Sequence, residues 1–231
     1  MNAKGYFSRT MPVDVHGEQT IEVTYTNDPA EVQRVLDMYQ QWIATGEEMF
    51  IGLDLEYTSH KDEKDKKIAV LQLAFRRHVL VFHYSSSDWW QSLALADFFR
   101  FSGVKFASVD TSNDKLVLGR TWNFCIPDEN YEDIQDLYYD VYKQKKAGMA
   151  PMAEQLIDPW YKDMKKKHYK WHDYWDKDIL DMDHIIYATI DGFISLELCR
   201  VLKPMSDAAK KSKKTREGGE SSRANRRRRW Y

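Results

Sequence analysis

Apolar and polar residues follow two different periods in the first part of the chain. Residues 20–26 (TIEVTYT) alternate with a period of two, which predicts a half-buried strand. Residues 27–43 place apolar side chains at helical spacing behind an Asn-Asp-Pro start, which predicts a capped amphipathic helix. Residues 1–17 show neither period, so we expect this N-terminal segment to be irregular.

Three apolar runs with short polar breaks come next. Residues 49–57, 68–75 and 79–84 each have the length and the composition of a buried strand. A charged loop separates the first run from the second, and only residues 76–78 separate the second from the third. Because such short turns join antiparallel neighbours, the runs predict an antiparallel meander.

Helix-like and strand-like segments alternate in the second half of the chain. Amphipathic spacing predicts the helices, and shorter apolar runs predict the strands. The predicted helices are residues 87–101, 112–122, 149–157 and 182–202, and the predicted strands are 104–109 with short pieces at 124–127 and 132–137. A meander followed by this alternation predicts an α/β fold with a sheet of mixed strand directions.

The size and composition fit one domain of ordinary size. The chain has 231 residues, of which 43% are hydrophobic and 30% are charged. It has no apolar run of about 18 residues, so we expect no membrane span, and its first residues lack the apolar core of a secretory signal. The two cysteines, Cys125 and Cys199, lack the spacing of a zinc site or a disulfide framework, which fits a reducing compartment.

A net charge of −2 conceals a strongly basic C-terminus. Residues 210–231 contain ten Lys or Arg and two Glu, so they carry +8 while the remainder carries −10. We expect a folded domain over residues 18–205 and a disordered tail over residues 206–231. Two interpretations of the tail stay open: an arm for nuclear import or nucleic-acid binding, and a solvated segment that only maintains solubility. The prediction of a nuclear protein, with the cytoplasm as the alternative, depends on this tail.

The candidate chemistry begins with two acids inside the predicted strand 49–57. Asp54 and Glu56 lie at i and i+2, so their carboxylates point to the same face of the strand. In the last helix, Tyr187 and Asp191 lie one turn apart on one face. Asp114 lies one turn into the helix that follows strand 104–109. Carboxylates that converge repel each other unless divalent cations such as Mg²⁺ or Mn²⁺ offset their charge. From spacing alone, exposed acids and an ordinary helical Tyr-Asp pair stay open as alternatives.

At these residues the chain resembles the DEDD-type 3′-5′ exonucleases that have the tyrosine variant of the third motif. The segment GLDLEY…AVLQLAF is similar to their first motif, FASVDTSNDKLVL to the second and IIYATIDGFISLEL to the third. The opening VDVHGEQTIEVTYT resembles the plant Werner-syndrome-type exonucleases, a branch of the DnaQ-like and RNase D superfamily. The resemblance covers roughly residues 10–202, and its strength lies in three motifs in order at the expected spacing.

The resemblance implies a ribonuclease H-like fold, with a mixed five-stranded sheet flanked by helices, and an exonuclease domain at residues 18–205. It also implies two divalent cations, Mg²⁺ or Mn²⁺, as cofactors. The implied reaction is hydrolysis at the 3′ ends of DNA or RNA, which releases nucleoside 5′-monophosphates. In that scheme Asp54, Glu56 and Asp191 hold the ion that activates water, and Asp54 also contacts the second ion. Asp114 holds the waters of the second ion, and Tyr187 positions the attacking water.

Some positions depart from the family pattern. Tyr57 stands where a Trp usually follows the first motif, and Gly192 stands in place of a common Ala. The second motif lacks a Gly-rich run, so Asp110 is an alternative to Asp114, which we prefer because Leu118 then keeps its spacing. A catalytically silent binding or adaptor module is therefore one alternative function, and an exonuclease that trims RNA rather than DNA is another.

Further substrate contacts are predicted outside the acidic motifs. The stretch 159–175 interleaves lysines with aromatic residues, a pattern typical of single-strand binding. We expect its tryptophans to pack in the core and its lysines to contact phosphates, above all Lys165, Lys166 and Lys167. By family resemblance, Leu55 and Tyr57 are also candidate substrate contacts.

Overall fold

The computed structural model of the chain describes residues 5–59, 62–86, 92–100, 103–163 and 174–227. Its centre is a seven-stranded sheet in the order β1-β2-β5-β4-β3-β6-β7. The strands are β1 (Ser8–Asp14), β2 (Thr20–Thr26), β3 (Phe50–Tyr57), β4 (Ile68–Phe75), β5 (His78–His83), β6 (Lys105–Ser108) and β7 (Tyr131–Asp133). The helices are α1 (Pro29–Ile43), α2 (Ser92–Arg100), α3 (Thr111–Trp122), α4 (Ile134–Tyr142), α5 (Met149–Leu156) and α6 (Met182–Arg227).

The sheet has mixed strand directions, as the sequence predicts. Strands β3, β4 and β5 form the antiparallel meander. Strand β2 is parallel to β5, while β6 is parallel to both β3 and β7. One face of the sheet packs against α1, α2 and α3 through residues such as Val35, Phe98 and Val117. Helix α6 covers the other face and carries α4 and α5 on its outer side.

The sheet has seven strands, so the expectation of five was wrong. The additional first strand comes from the segment that we expected to be irregular: β1 pairs antiparallel with β2, and its Met11 and Val13 are buried. Pro12 lies between these two residues on this edge strand, where a missing backbone N–H is tolerated. At the opposite edge, β7 contributes only three residues.

Two short strand predictions and one helix start need correction. Residues 124–127 form no strand, and residues 132–137 are divided between β7 and α4. The division falls at Asp133, whose side chain accepts hydrogen bonds from the backbone N–H groups of Gln135 and Asp136 and so caps α4. Helix α3 begins at Thr111 after Asp110, not after Ser112 or Asn113.

Helix α6 continues past the end that we predicted at residue 202. Ser206 is fully buried, and its hydroxyl donates to Asp140 Oδ2 at 2.7 Å. Lys210 pairs with the same carboxylate at 2.8 Å. The predicted domain boundary at residue 205 therefore falls inside a packed part of the helix, because α4 supplies partners there. The backbone stays helical to Arg227, where we expected disorder.

Among the helices of the described segments, none is long and apolar enough to cross a membrane.

Candidate active site

Strand β3 sorts its side chains onto the two faces of the sheet. Ile51, Leu53 and Leu55 are buried in the core under α1, α2 and α3. Asp54 and Glu56 alternate with them, are half-buried and point toward α6. The strand thus keeps its acids out of the apolar layer by the period-two pattern alone.

Two glycines allow α6 to lie directly on the sheet beside these acids. A Cβ on Gly52 would collide with the carbonyl oxygen of Gly192 and would lie 2.7 Å from the backbone nitrogen of Leu196. A Cβ on Gly192 would lie 3.0 Å from the Cβ of Gln72. Because Gly192 follows Asp191, the close crossing brings the Asp191 carboxylate down to Asp54. The presence of Gly192 in place of the family's common Ala therefore has a packing reason.

Three carboxylates converge at this crossing. Asp54, Glu56 and Asp191 each offer one oxygen, and these oxygens all lie within 4.8 Å of one another. Asp191 is buried, with only 3% of its surface exposed, whereas the two acids on β3 remain accessible from solvent. Three negative charges this close repel each other, and oxygen ligands suit a hard divalent cation.

A buried amide beside the carboxylates fits the same interpretation. Gln72 pairs directly with Asp54 across the β3–β4 ladder and is fully buried. Within the described parts of the chain, neither its amide nitrogen nor its amide oxygen has a hydrogen-bond partner. An unsatisfied buried polar group costs about 1–3 kcal/mol, so such a group usually serves a ligand, a water or an ion. The three carboxylate ligands and this amide together fit a hydrated Mg²⁺ or Mn²⁺ ion.

Tyr187 lies one helical turn before Asp191 and is buried. Burial raises the pKa of its hydroxyl far above the usual value, and the negative charges of Asp191, Glu56 and Asp54 raise it further. The hydroxyl therefore stays protonated at neutral pH and can donate a hydrogen bond near the carboxylates. This is the ionisation state that the sequence predicts.

Asp114 does not belong to the group of three and has its own hydrogen-bond partners. It is buried on α3, and its Oδ2 accepts a hydrogen bond of 2.5 Å from the Ser108 hydroxyl. Its Oδ1 accepts a hydrogen bond of 2.6 Å from the Tyr57 hydroxyl, which in turn accepts one from Asn113 Nδ2 at 3.1 Å. Asp110, the alternative acid of the second motif, is exposed at the start of α3.

The ionisation of Asp114 reflects this enclosure. Burial raises the pKa of its carboxyl to about 6, although the hydrogen bonds from Ser108 and Tyr57 act in the opposite direction. The pKa of the Tyr57 hydroxyl is raised far above its usual value by burial, then by the charge of Asp114. At neutral pH, Tyr57 is therefore the hydrogen-bond donor and Asp114 the acceptor.

A bulge in the sheet explains how Tyr57 reaches Asp114. The β3–β4 register shifts between Glu56 and Tyr57, which is a local irregularity of the kind that redirects a side chain. Tyr57 packs at the margin of the core under α3, while Glu56 faces α6. Asp54 and Glu56 consequently approach this end of β3 from the face covered by α6, and Asp114 approaches it from the opposite face.

The predicted substrate contacts outside the acidic motifs stay predictions. The Leu55 side chain is 4% exposed and packs in the core on the face opposite the three carboxylates, so any contact with substrate would come from its backbone. Trp175 is buried as expected, whereas Trp160 is 45% exposed. Lys165, Lys166 and Lys167 lie outside the described residues, and their contact with substrate stays a prediction.

Sequence reasoning missed Ser108 and undervalued Gln72. Ser108 is the last residue of β6 and is fully buried beside Asp114. A polar residue at the carboxyl end of a parallel strand, directly before a helix, was the available signal. Gln72 was visible only as part of the family segment VLQLAF, and no periodicity revealed that its amide would be buried beside Asp54.

The fold is ribonuclease H-like, and the carboxylate group defines a candidate metal-dependent nuclease site. The chain matches the family model described as "3'-5' exonuclease" over residues 23–207. It therefore belongs to this 3′-5′ exonuclease family, within the DnaQ-like superfamily. A comparison with curated protein sequences finds no match.

Solved structures share the fold at low sequence identity. RNase D from Trypanosoma brucei, solved as a GMP complex, is 14% identical with a TM-score of 0.64, covering 78% of this chain and 56% of that one. RNase D from Escherichia coli, described as an exoribonuclease involved in structured RNA processing, is 18% identical with a TM-score of 0.60. The match covers 78% of this chain and 43% of that one. The EXO domain of Aedes aegypti Nibbler is 16% identical with a TM-score of 0.55, covering 73% of this chain and 84% of that one. The chain thus spans about half of the length of the two RNase D chains.

Proposed function

We propose that this domain hydrolyses nucleic acid from the 3′ end and releases nucleoside 5′-monophosphates with the help of two divalent cations, Mg²⁺ or Mn²⁺. The observation that carries the proposal is the convergence of Asp54, Glu56 and Asp191 within 4.8 Å. Together with Tyr187, these acids would place the chain in the tyrosine subclass of the DEDD enzymes. A position near the plant Werner-syndrome-type branch remains part of the same proposal.

Each acidic residue has a proposed part in holding the ions. Asp54, Glu56 and Asp191 would hold one ion, and Asp54 with Asp114 would hold the second and its waters. Bound divalent ions of this kind lower the pKa of a water molecule and offset charge on a reacting phosphate. Oxygen-only ligands at this site favour Mg²⁺ or Mn²⁺ over zinc.

Tyr187 would orient the attacking water by donating a hydrogen bond from its neutral hydroxyl. Its raised pKa argues against a role as general base, because the tyrosinate form is not accessible near neutral pH. The half-buried side chains of Asp54 and Glu56 leave the approach for the 3′-terminal phosphodiester on the solvent side of the group.

RNA is the substrate to test first. RNase D of Trypanosoma brucei was solved with GMP, and that of Escherichia coli is described as an exoribonuclease. These names support an RNA-trimming exonuclease as the proposed alternative to a DNA-processing one. The basic tail is consistent with either polymer, since both carry the same phosphate charge.

The test is a gel time course on 5′-labelled single-stranded RNA, single-stranded DNA and a recessed duplex, with Mg²⁺, Mn²⁺ or EDTA. We expect a metal-dependent ladder that shortens from the 3′ end. Asp54→Asn combined with Glu56→Gln should abolish it, whereas Glu22→Gln, an exposed acid on β2, should not change it. A folded wild-type protein that shortens none of the substrates would refute the exonuclease and favour the binding module.

A further inference from the structure

Tyr174 combines two features that are uncommon for an aromatic residue. Its side chain is 63% exposed, and its backbone has a φ of +68°. Bulky residues rarely adopt this left-handed conformation, because Cβ crowds the neighbouring backbone. A strained conformation of this kind persists only where surrounding contacts fix it, and it is frequent at binding sites and active sites. The residue belongs to the stretch 159–175, whose pattern of aromatic and basic residues is typical of single-strand binding.

One contact fixes Tyr174 to the end of the strand that carries two of the three carboxylates. Its backbone N–H donates a hydrogen bond of 3.2 Å to Ser59 Oγ. Ser59 lies two residues beyond the end of β3 and three residues after Glu56. Because an extended chain advances at most about 3.6 Å per residue, the Cα atoms of Ser59 and Glu56 are no more than about 11 Å apart. Tyr174 is therefore held at the margin of the candidate active site.

The next residue fixes the same loop from the inside. Trp175 is buried, and the centre of its ring lies 6.0 Å from the centre of the Tyr187 ring. Its carbonyl oxygen accepts a hydrogen bond of 3.3 Å from Nε2 of His83, which is fully buried on β5. Trp175 thus takes the interior position beside Tyr187, while the side chain of Tyr174 remains on the surface. The exposed ring is presented at a defined place between the end of β3 and Tyr187.

A second buried contact holds the part of the loop that leads into α6. The backbone N–H of Leu180 donates to the Tyr25 hydroxyl at 2.9 Å, and the same hydroxyl is hydrogen-bonded to Nδ1 of His83 at 2.9 Å. Since Nε2 of His83 holds Trp175, one chain of buried hydrogen bonds connects both ends of the segment 175–180. A ring mounted on a loop that is fixed in advance loses little freedom when a ligand binds, which favours affinity.

From this position and this exposure, we propose that Tyr174 stacks on one of the last bases of a strand whose 3′ end is unpaired. The proposal rests on the exonuclease function proposed above and gives it a substrate class, single-stranded 3′ ends. An accessible aromatic ring stacks on any base, because every base has a π face, so the contact holds the end of the strand without selecting its sequence. A ring that only faced solvent would need neither the strained backbone nor the anchors at Ser59 and Trp175.

Paired deletions in the protein and in the substrate test the stacking contact. Fluorescence anisotropy of a 5′-labelled eight-nucleotide oligoadenylate, with EDTA to prevent cleavage, gives Kd for the intact strand. The same measurement is made on strands with one abasic nucleotide at each of the last three positions. We expect Tyr174→Asn to raise Kd for the intact strand about tenfold, which is the loss of one stacked base. At one of the three positions, the abasic nucleotide should raise Kd of the wild type by a similar factor and should cause no further loss in Tyr174→Asn.

Three measurements on variants separate stacking from a structural role. Asn tolerates the left-handed conformation better than Tyr does, so Tyr174→Asn should not lower the free energy of unfolding measured in urea. Tyr174→Phe keeps the ring and should bind each strand as the wild type does. Ile179→Asn is the matched control, since it removes a 65% exposed apolar side chain without a ring from the same loop. In this control the effect of the abasic nucleotide should stay as large as in the wild type.

The outcomes separate the stacking contact from the exonuclease. If Tyr174→Asn leaves Kd unchanged, or if its loss adds to that of the abasic nucleotide at all three positions, Tyr174 stacks on no base and the proposal is overturned. A Tyr174→Asn protein that unfolds at a lower urea concentration also overturns it, because the residue then serves packing. An equal loss of affinity for a blunt duplex would show that the ring caps paired ends, which refutes the single-stranded class. If the coupled loss occurs in a protein that cleaves nothing with Mn²⁺, the stacking contact stands and the exonuclease proposal fails.

Discussion

Tyr57→Phe isolates the contact that separates this chain from its family pattern. The hydroxyl of Tyr57 donates to Asp114 at 2.6 Å, and the other carboxylate oxygen of Asp114 accepts from Ser108. Hydrogen bonds to charged groups contribute about 1.5–3 kcal/mol. In the metal-free protein we therefore expect Tyr57→Phe to lower the free energy of unfolding by about 2 kcal/mol, measured by urea denaturation in EDTA.

Under the two-ion proposal, the same change should tighten the binding of the second ion. If Asp114 must release Tyr57 to hold the second ion or its waters, deleting the hydroxyl removes that cost. About 1.4–2 kcal/mol corresponds to a Kd that is about ten to thirty times lower. Isothermal titration of Mn²⁺ measures both events, and at pH 8 the Asp114 carboxyl, with a pKa of about 6, is ionised.

Tyr131→Phe is the control for removing a hydroxyl near Asp114. Tyr131 is buried, its hydroxyl has no hydrogen-bond partner within the described segments, and the charge of Asp114 acts on it. This variant should leave both Mn²⁺ affinities unchanged. A second Mn²⁺ event that weakens in Tyr57→Phe would show that Tyr57 supports Asp114 in the metal-bound arrangement, and the competition argument would be wrong.

Three further predictions follow from the packing and the charges. Gly52→Ala should destabilise the protein by about 3 kcal/mol or more, because its Cβ would meet backbone atoms of α6. Gly192→Ala should cost less, since its Cβ would meet side-chain atoms alone, with Gln72 Cβ nearest at 3.0 Å; urea denaturation checks both. Glu56→Gln should stabilise the EDTA-treated protein by about 1 kcal/mol, because it relieves repulsion from Asp54 and Asp191. It should also reduce the rise in Tm that Mn²⁺ gives the wild type. An unchanged rise would contradict the metal assignment. Burial, and secondarily the charge of Arg34, lower the pKa of His78 to about 4. The unfolded state therefore binds more protons than the folded state between about pH 6.5 and pH 4, and stability is lost as the pH falls through this range. At pH 5 this loss is about 2 kcal/mol relative to pH 8, and His78→Gln should lack that part of the acid sensitivity in urea denaturation.

The placement of the acids on β3 and α6 could be predicted because it depends on local periods. A period of two places Asp54 and Glu56 on one face of a strand, and one helical turn places Tyr187 beside Asp191. The meander was predictable for a similar reason, since the turn between β4 and β5 is too short for a parallel connection. These features need no knowledge of distant contacts.

The rest depends on contacts between distant residues, which periodicity does not encode. Strand β1 was missed because Pro12 interrupts a weak alternation, and only the pairing with β2 makes the segment a strand. The burial of Ser206 could not be predicted, because nothing near it in the sequence reveals its partner Asp140, which lies 66 residues away. The contact between Tyr57 and Asp114 depends on a register shift in β3, so the sequence predicted the two residues but not their hydrogen bond.

The two proposed ion positions therefore differ in how firmly the fold supports them. The group of Asp54, Glu56 and Asp191 is built from one strand and one helix in direct contact at Gly52 and Gly192, so it needs only the close crossing to form. Asp114 approaches from α3 on the opposite face, and both of its carboxylate oxygens already accept hydrogen bonds. The first position is pre-formed by packing, whereas the second requires an exchange of partners at Asp114. Binding of the two ions should consequently be sequential, with the weaker event sensitive to Tyr57 and the stronger one sensitive to the glycine crossing.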